Sequence, residues 1–125
     1  MQAKNLREIT TEVRDFEDKY YQGKMKTFYI IVVRATGIKY SVSRRFNDFD
    51  LLNKHLKKEH GNLPVLPKKT FFPLKKPEEK LARCQALDSY LRGLVTRDDI
   101  CSNSEFRLFM EVLFLSLNQA RFPRA

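Results

Sequence analysis

Four of the five prolines in this 125-residue chain fall within residues 63–77, at Pro64, Pro67, Pro73 and Pro77. Proline lacks a backbone N–H and locks φ, so this stretch is neither regular helix nor inner strand, and Pro64-x-x-Pro67 favours a polyproline II conformation. The chain is thereby divided into two parts that must form regular structure separately. Upstream, the apolar period is two. Residues 6–16 alternate Ile9, Thr11 and Val13 against Thr10, Glu12 and Arg14, which predicts a half-exposed first strand. After a polar stretch holding Gly23, Lys26 to Arg34 is rich in β-branched and aromatic residues and predicts a central, most buried strand. Ala35-Thr36-Gly37 reads as a hairpin turn. Ile38 to Arg45 reads as a third strand, with Ile38, Tyr40 and Val42 on one face and Lys39, Ser41, Ser43 and Arg45 on the other.

The period then becomes helical. From Asn47, a good N-cap residue, Phe49, Leu52 and Leu56 keep helical spacing until Gly61, which suits a helix stop. Beyond the prolines, Pro77-Glu78-Glu79 resembles a helix start, with proline in the first turn and acids near the positive end of the dipole. That helix places Leu87, Tyr90, Leu91, Leu94 and Val95 on one face. Asp98 to Asn103 breaks the pattern, and Ser104 begins a last helix with Phe106, Phe109, Met110, Leu113 and Leu117 on one stripe. Strands followed by helices predict an α+β fold: a three-stranded antiparallel sheet packed against three to four helices, with a proline-rich loop between. No repeat or long linker interrupts it, so residues 1–125 read as a single domain with its core at about residues 6–117.

Charge narrows the choice of partner. The formal net charge is +9, and residues 44–83 hold 11 basic against 5 acidic side chains, while residues 84–125 are balanced. Leu63 to Pro77 carries Lys68, Lys69, Lys75 and Lys76 and no acid. An anionic partner follows. The longest apolar run, Phe28 to Val33, is six residues, against the roughly 20 a spanning helix needs. The start lacks the apolar stretch of a secretion signal, and two cysteines, Cys84 and Cys101, make no disulfide framework, so the expected setting is reducing and faces the cytosol.

Catalytic chemistry is hard to find. His55, His60, Cys84 and Cys101 have no zinc-site spacing, the four glycines are scattered rather than grouped into a phosphate loop, and Glu78-Glu79 reads as a helix N-terminus. No metal, no cofactor and no enzyme activity is expected. Three basic placements stand out: Arg44-Arg45-Phe46 where a strand hands over to a helix, Lys68-Lys69 after the proline turn, and Arg83 four residues before Leu87. Each alone is equally a surface pair, a loop charge or an ion pair with Glu79. Together, two arginines and a lysine from three elements suit a phosphorylated ligand, because guanidinium makes planar, two-pronged bonds to phosphate oxygens.

Arg44-Arg45-Phe46-Asn47-Asp48-Phe49-Asp50-Leu51-Leu52, then Leu63-Pro64-Val65-Leu66-Pro67-Lys68-Lys69, then Arg83-Cys84-Gln85-Ala86-Leu87-Asp88-Ser89-Tyr90-Leu91, closely resemble in order and spacing the phox-homology (PX) domain of sorting nexins and NADPH-oxidase subunits. The resemblance spans nearly the whole chain and implies a phosphoinositide-binding module, most often for phosphatidylinositol 3-phosphate on endosomal membranes. It implies that Arg45 holds the 3-phosphate, Phe46 stacks under the inositol ring, Lys69 contacts the 1-phosphate and Arg83 hydrogen-bonds the 4- and 5-hydroxyls. Phenylalanine at 46 stands where tyrosine is common, and the stacking ring is kept.

Phe71-Phe72-Pro73-Leu74 is an apolar cluster between two lysine pairs. It reads either as loop packing on the core or as a membrane contact, and the resemblance implies the second. Phe71, Phe72 and Leu74 would enter the bilayer while Lys68, Lys75 and Lys76 meet anionic headgroups. Nucleic acid is disfavoured, because no recognition helix or aromatic strand signature accompanies the charge. The alternative is a protein-interaction scaffold, either through the sheet or through Pro64–Pro67, which also reads as a ligand for an SH3 domain.

Overall fold

The computed structural model describes residues 9–112. Three strands, β1 (Thr10–Tyr21), β2 (Lys24–Ala35) and β3 (Ile38–Arg44), are followed by α1 (Phe46–Glu59), α2 (Pro77–Val95), α3 (Asp98–Cys101) and α4 (Ser104–Met110). The sheet is antiparallel throughout, in the order β1-β2-β3. Residues 60–76 contain neither helix nor strand, as the prolines require.

β1 departs most from the sequence expectation. It begins at Thr10, residues 6–8 lie outside the described part, and it continues to Tyr21 through residues that do not alternate. The reason is a bulge at Arg14: Val13 pairs with Ile31 and Asp15 with Ile30. One extra residue reverses the side-chain parity of everything after it. Thr11 and Val13 face inward before the bulge; Phe16 packs on the core after it, opposite Tyr29. The N–H of Val13, beside the bulge, donates to the Asp88 carboxylate of α2 at 2.8 Å. The hairpin that follows turns on Gln22 and Gly23, with φ of 54° and 82°, the positive values a tight two-residue connection needs.

The other boundaries shift for local reasons. β3 ends at Arg44, and Arg45 takes the N-cap position of α1 that Asn47 was expected to hold. Asp48 at N3 fixes this start, its carboxylate accepting the Arg45 N–H at 2.8 Å. α1 ends at Glu59, just before the expected stop, and Asp98 to Asn103 contains the short helix α3 rather than a plain break. Asn103 caps α4 by accepting from the N–H groups of Glu105 and Phe106. α4 closes at Met110, where Glu111 turns left-handed (φ 59°); the expected stripe residues Leu113 and Leu117 lie outside the described part.

The core lies between the sheet and the helices. Tyr29, Ile31, Val33 and Val42 meet Phe49 and Leu56 of α1, Leu87, Leu91 and Leu94 of α2, and Phe106 and Met110 of α4, all of them buried. Each such side chain contributes about 1.5–3 kcal/mol by leaving water. Two tyrosine hydroxyls in this layer are satisfied: Tyr90 donates to Asn53 Oδ1 and Tyr40 to the Met110 carbonyl, both at 2.8 Å. Leu63 and Leu66 pack the proline loop onto the core. Pro64 fits against α2 at Gly93, where a Cβ would come within 2.7 Å of the proline ring.

Candidate functional site

Arg44 and Arg45 are adjacent in sequence and opposite in use. Arg44 shares the inward face of β3 with Val42, and its Nε donates to the Phe109 carbonyl at 3.0 Å while Nη2 reaches Glu111 at 3.1 Å. It thus ties the end of α4 to the sheet. Arg45, released from strand geometry at the N-cap of α1, turns the other way, and its guanidinium lies 5.0 Å from the ring centroid of Tyr21. Tyr21 in turn meets Phe28 edge to face at 5.8 Å. Alternation sets the two arginines on opposite faces, as the sequence predicts for Arg45, and the end of β3 at Arg44 makes Arg45 the N-cap of α1.

Arg45 and Phe46 open onto a cavity of about 650 Å³. Lys69 enters it from the proline loop and Arg83 from the second turn of α2, so the four residues expected to hold a headgroup converge from three segments. Phe46 is almost fully buried, and the Arg83 guanidinium sits 4.1 Å from its ring centroid. Arg83 Nη2 also donates to the Lys68 carbonyl at 3.4 Å, bracing the proline loop against α2. The expected alternative for Arg83, an ion pair with Glu79, is not the contact found. Buried Tyr29 forms part of the wall; burial pushes its phenol pKa up, and neighbouring Arg83 pulls the other way.

The cavity is strongly cationic. Lys24, Lys26, Lys75 and Lys80 join Arg45, Lys69 and Arg83 around it, against one carboxylate, Asp18, among the described residues. Lys80 is nearly buried and pairs with Asp18 at 2.9 Å, 5.5 Å from the Phe16 ring. Such density of positive charge in a concave site draws anions and raises their local concentration.

Tyr21, Asp18, Lys80 and the hairpin lysines were missed in the sequence. Asp18 and Lys80 could not be found there, because the bulge at Arg14 reverses the alternation that predicts which way Asp18 points. Tyr21 carried a weak signal as one of two adjacent aromatics in a polar stretch.

The apolar loop lies at the rim. Phe71, Leu74 and Lys75 line the cavity mouth. Phe71 is 93% exposed and Phe72 72% exposed, stacked edge to face on each other at 4.8 Å. Core packing is thus excluded for these two rings, whereas Leu74 is half-buried. Lys75 and Lys76 are exposed beside them, and Lys68 lines a second cleft of about 480 Å³ between α1 and the proline loop. Elsewhere, burial pushes the Cys84 thiol up to about 11, so it stays protonated. No described helix is long and apolar enough to cross a membrane.

Among solved structures, a designed CISK-PX domain is similar, with a TM-score of 0.74 and 26% identity over 81% of this chain and 97% of that one. The mouse SNX19 PX domain, solved with a bound sulphate ion, matches at a TM-score of 0.66 and 18% identity over 83% and 96%. No curated protein matches the sequence. The PX domain family model matches residues 33–113, which run from the central strand through α4 and include the Arg45, Lys69 and Arg83 segments. The chain belongs to the PX domain family, whose members are generally phosphoinositide-binding modules that recruit proteins to membranes.

Proposed function

We propose that this domain recognises phosphatidylinositol 3-phosphate and docks peripherally, from the cytosolic side, on endosomal membranes. The observation that carries this reading is the convergence of Arg45, Phe46, Lys69 and Arg83 on one cationic cavity whose rim bears exposed Phe71, with exposed Phe72 stacked on it. Arg45 would grip the 3-phosphate with two parallel N–H bonds, Lys69 would meet the 1-phosphate as a point charge, and Arg83 would donate to the 4- and 5-hydroxyls. For the inositol ring to stack on Phe46, the Arg83 guanidinium must give up the ring face it covers and move toward the hydroxyls. The sulphate ion held by the SNX19 PX domain, a tetrahedral oxyanion like phosphate, is consistent with anion binding in this fold. Phe71, Phe72 and Leu74 would enter the bilayer while Lys68, Lys75 and Lys76 meet anionic headgroups, giving reversible recruitment rather than tight anchoring. No chemical step is assigned to the site.

The scaffold alternative is less well supported. A polyproline ligand must present both prolines, and the Pro64 ring is seated on Gly93. The test is vesicle flotation with and without phosphatidylinositol 3-phosphate. Arg45→Ala is expected to abolish the lipid-specific part; retention of that part overturns the pocket assignment.

A further inference from the structure

A carboxylate is the wrong charge for an anion site, yet Asp18 faces this one. Its side chain is 35% exposed while that of its partner Lys80 is 10% exposed, so the negative member of the pair looks into the cavity and the positive member is covered. The geometry holds it firmly. Oδ1 accepts from Thr27 Oγ1 at 2.7 Å and from Lys80 Nζ at 3.1 Å, and Oδ2 accepts from Lys80 Nζ at 2.9 Å. An ionised carboxylate offers about four acceptor positions, so these three bonds leave Oδ2 able to accept again. The bonds from Thr27 and Lys80 also lower its pKa, keeping it ionised near neutrality.

We propose that Asp18 is a specificity-determining residue: it accepts a hydrogen bond from a free ring hydroxyl of the bound inositol and repels a phosphate at that position. This rests on the headgroup reading above and deepens it. Cations alone choose poorly between one phosphate and two, because every added phosphate strengthens the attraction. A fixed carboxylate reverses the sign at one place on the wall: a hydroxyl donates to it, whereas a phosphate meets a like charge with no proton to share. Arg83 cannot do this, since guanidinium donates to a hydroxyl but binds a phosphate more strongly. Because Lys80 and Thr27 hold the carboxylate on both sides, it cannot swing away to admit the larger group.

The experiment measures binding of water-soluble, short-chain phosphatidylinositol 3-phosphate, 3,4-bisphosphate and 3,5-bisphosphate to the whole chain by calorimetry. Asp18→Asn keeps the shape and one acceptor while removing the charge. It is expected to reduce discrimination against at least one bisphosphate by about tenfold or more, the scale of removing one close like-charge contact. Asp18→Asn combined with Lys80→Gln leaves a neutral hydrogen-bonded pair and the net charge of the cavity unchanged. It should lose the same discrimination, and it also serves if the single variant folds poorly. Unchanged ratios in both variants overturn the proposal, as does wild-type discrimination in the double variant, which would assign the effect to bulk charge. Absence of wild-type binding, or binding untouched by Arg45→Ala, instead overturns the headgroup reading.

Discussion

Replacing Phe71 and Phe72 with serine separates membrane insertion from headgroup recognition more cleanly than any change inside the cavity. In the folded domain these rings touch little except each other, with 93% and 72% of their surface in water and centroids 4.8 Å apart. Their loss should therefore change folding stability by no more than about 0.5 kcal/mol. At a bilayer the balance differs. Complete removal of one phenylalanine from water is worth about 1.5–3 kcal/mol, so half-depth insertion of the pair contributes about the same amount in total. That corresponds to roughly a 10-fold to 150-fold loss of vesicle affinity. The assay pairs co-sedimentation with vesicles containing phosphatidylinositol 3-phosphate and calorimetry with its soluble headgroup. Vesicle binding should fall by that factor while headgroup affinity stays within about twofold. Phe71 also lines the cavity mouth and Phe72 does not, so Phe72→Ser alone is the cleaner variant. An equal loss in both assays, or a melting temperature lowered by several degrees, would refute the insertion argument and return the rings to a structural role.

Three further outcomes follow from packing and charge. Gly93→Ala places a methyl group 2.7 Å from the Pro64 ring; the overpacking outweighs the gain in helix propensity, for a net loss of about 1 kcal/mol in thermal melts, and Pro64→Ala in the same chain should restore much of it. Thr11 is buried at 3% exposure, and its hydroxyl has no hydrogen-bond partner among the described residues. Thr11→Val keeps the shape and should stabilise the fold by about 1 kcal/mol in denaturant titration; a loss would mean the hydroxyl is satisfied. The Asp18 carboxyl has its pKa lowered from 3.8, chiefly by Thr27 and then by Lys80. Its contribution is therefore fully present above about pH 5 and is lost as pH falls through the lowered folded value. Asp18→Asn should flatten the acid limb of the stability curve, and an unchanged limb would count against the pairing.

Much of the architecture was open to a local reading. The unbroken apolar run of the central strand, the alternation that puts Val42 inward in β3 and the helical spacing of Leu87, Leu91 and Leu94 are all visible in a short window, though which residues of that run face the core is not. The proline loop, the start of α2 and the approximate start of α4 were legible for the same reason. The short helix α3 was not, since four residues carry no measurable period. The run of motifs also located the cavity's Arg45, Phe46, Lys69 and Arg83, although what each does rests on family likeness rather than on spacing.

By itself the sequence determined the fold class, the order of elements, the buried faces of the helices and the segments that carry the charge, all of which depend on residues close together along the chain. Tertiary structure decided the rest. It gave Arg44 its partners at the end of α4 and Arg45 the Tyr21 ring, although alternation along β3 had already set the two on opposite faces. It turned Asp18 toward Lys80 by a bulge that leaves no trace in composition. It left Phe71 and Phe72 in water, where sequence allowed either core or membrane. The physical reason is common to all three: what a side chain meets depends on segments tens of residues away, and an irregularity such as the bulge at Arg14 resets orientation in a way no local period encodes.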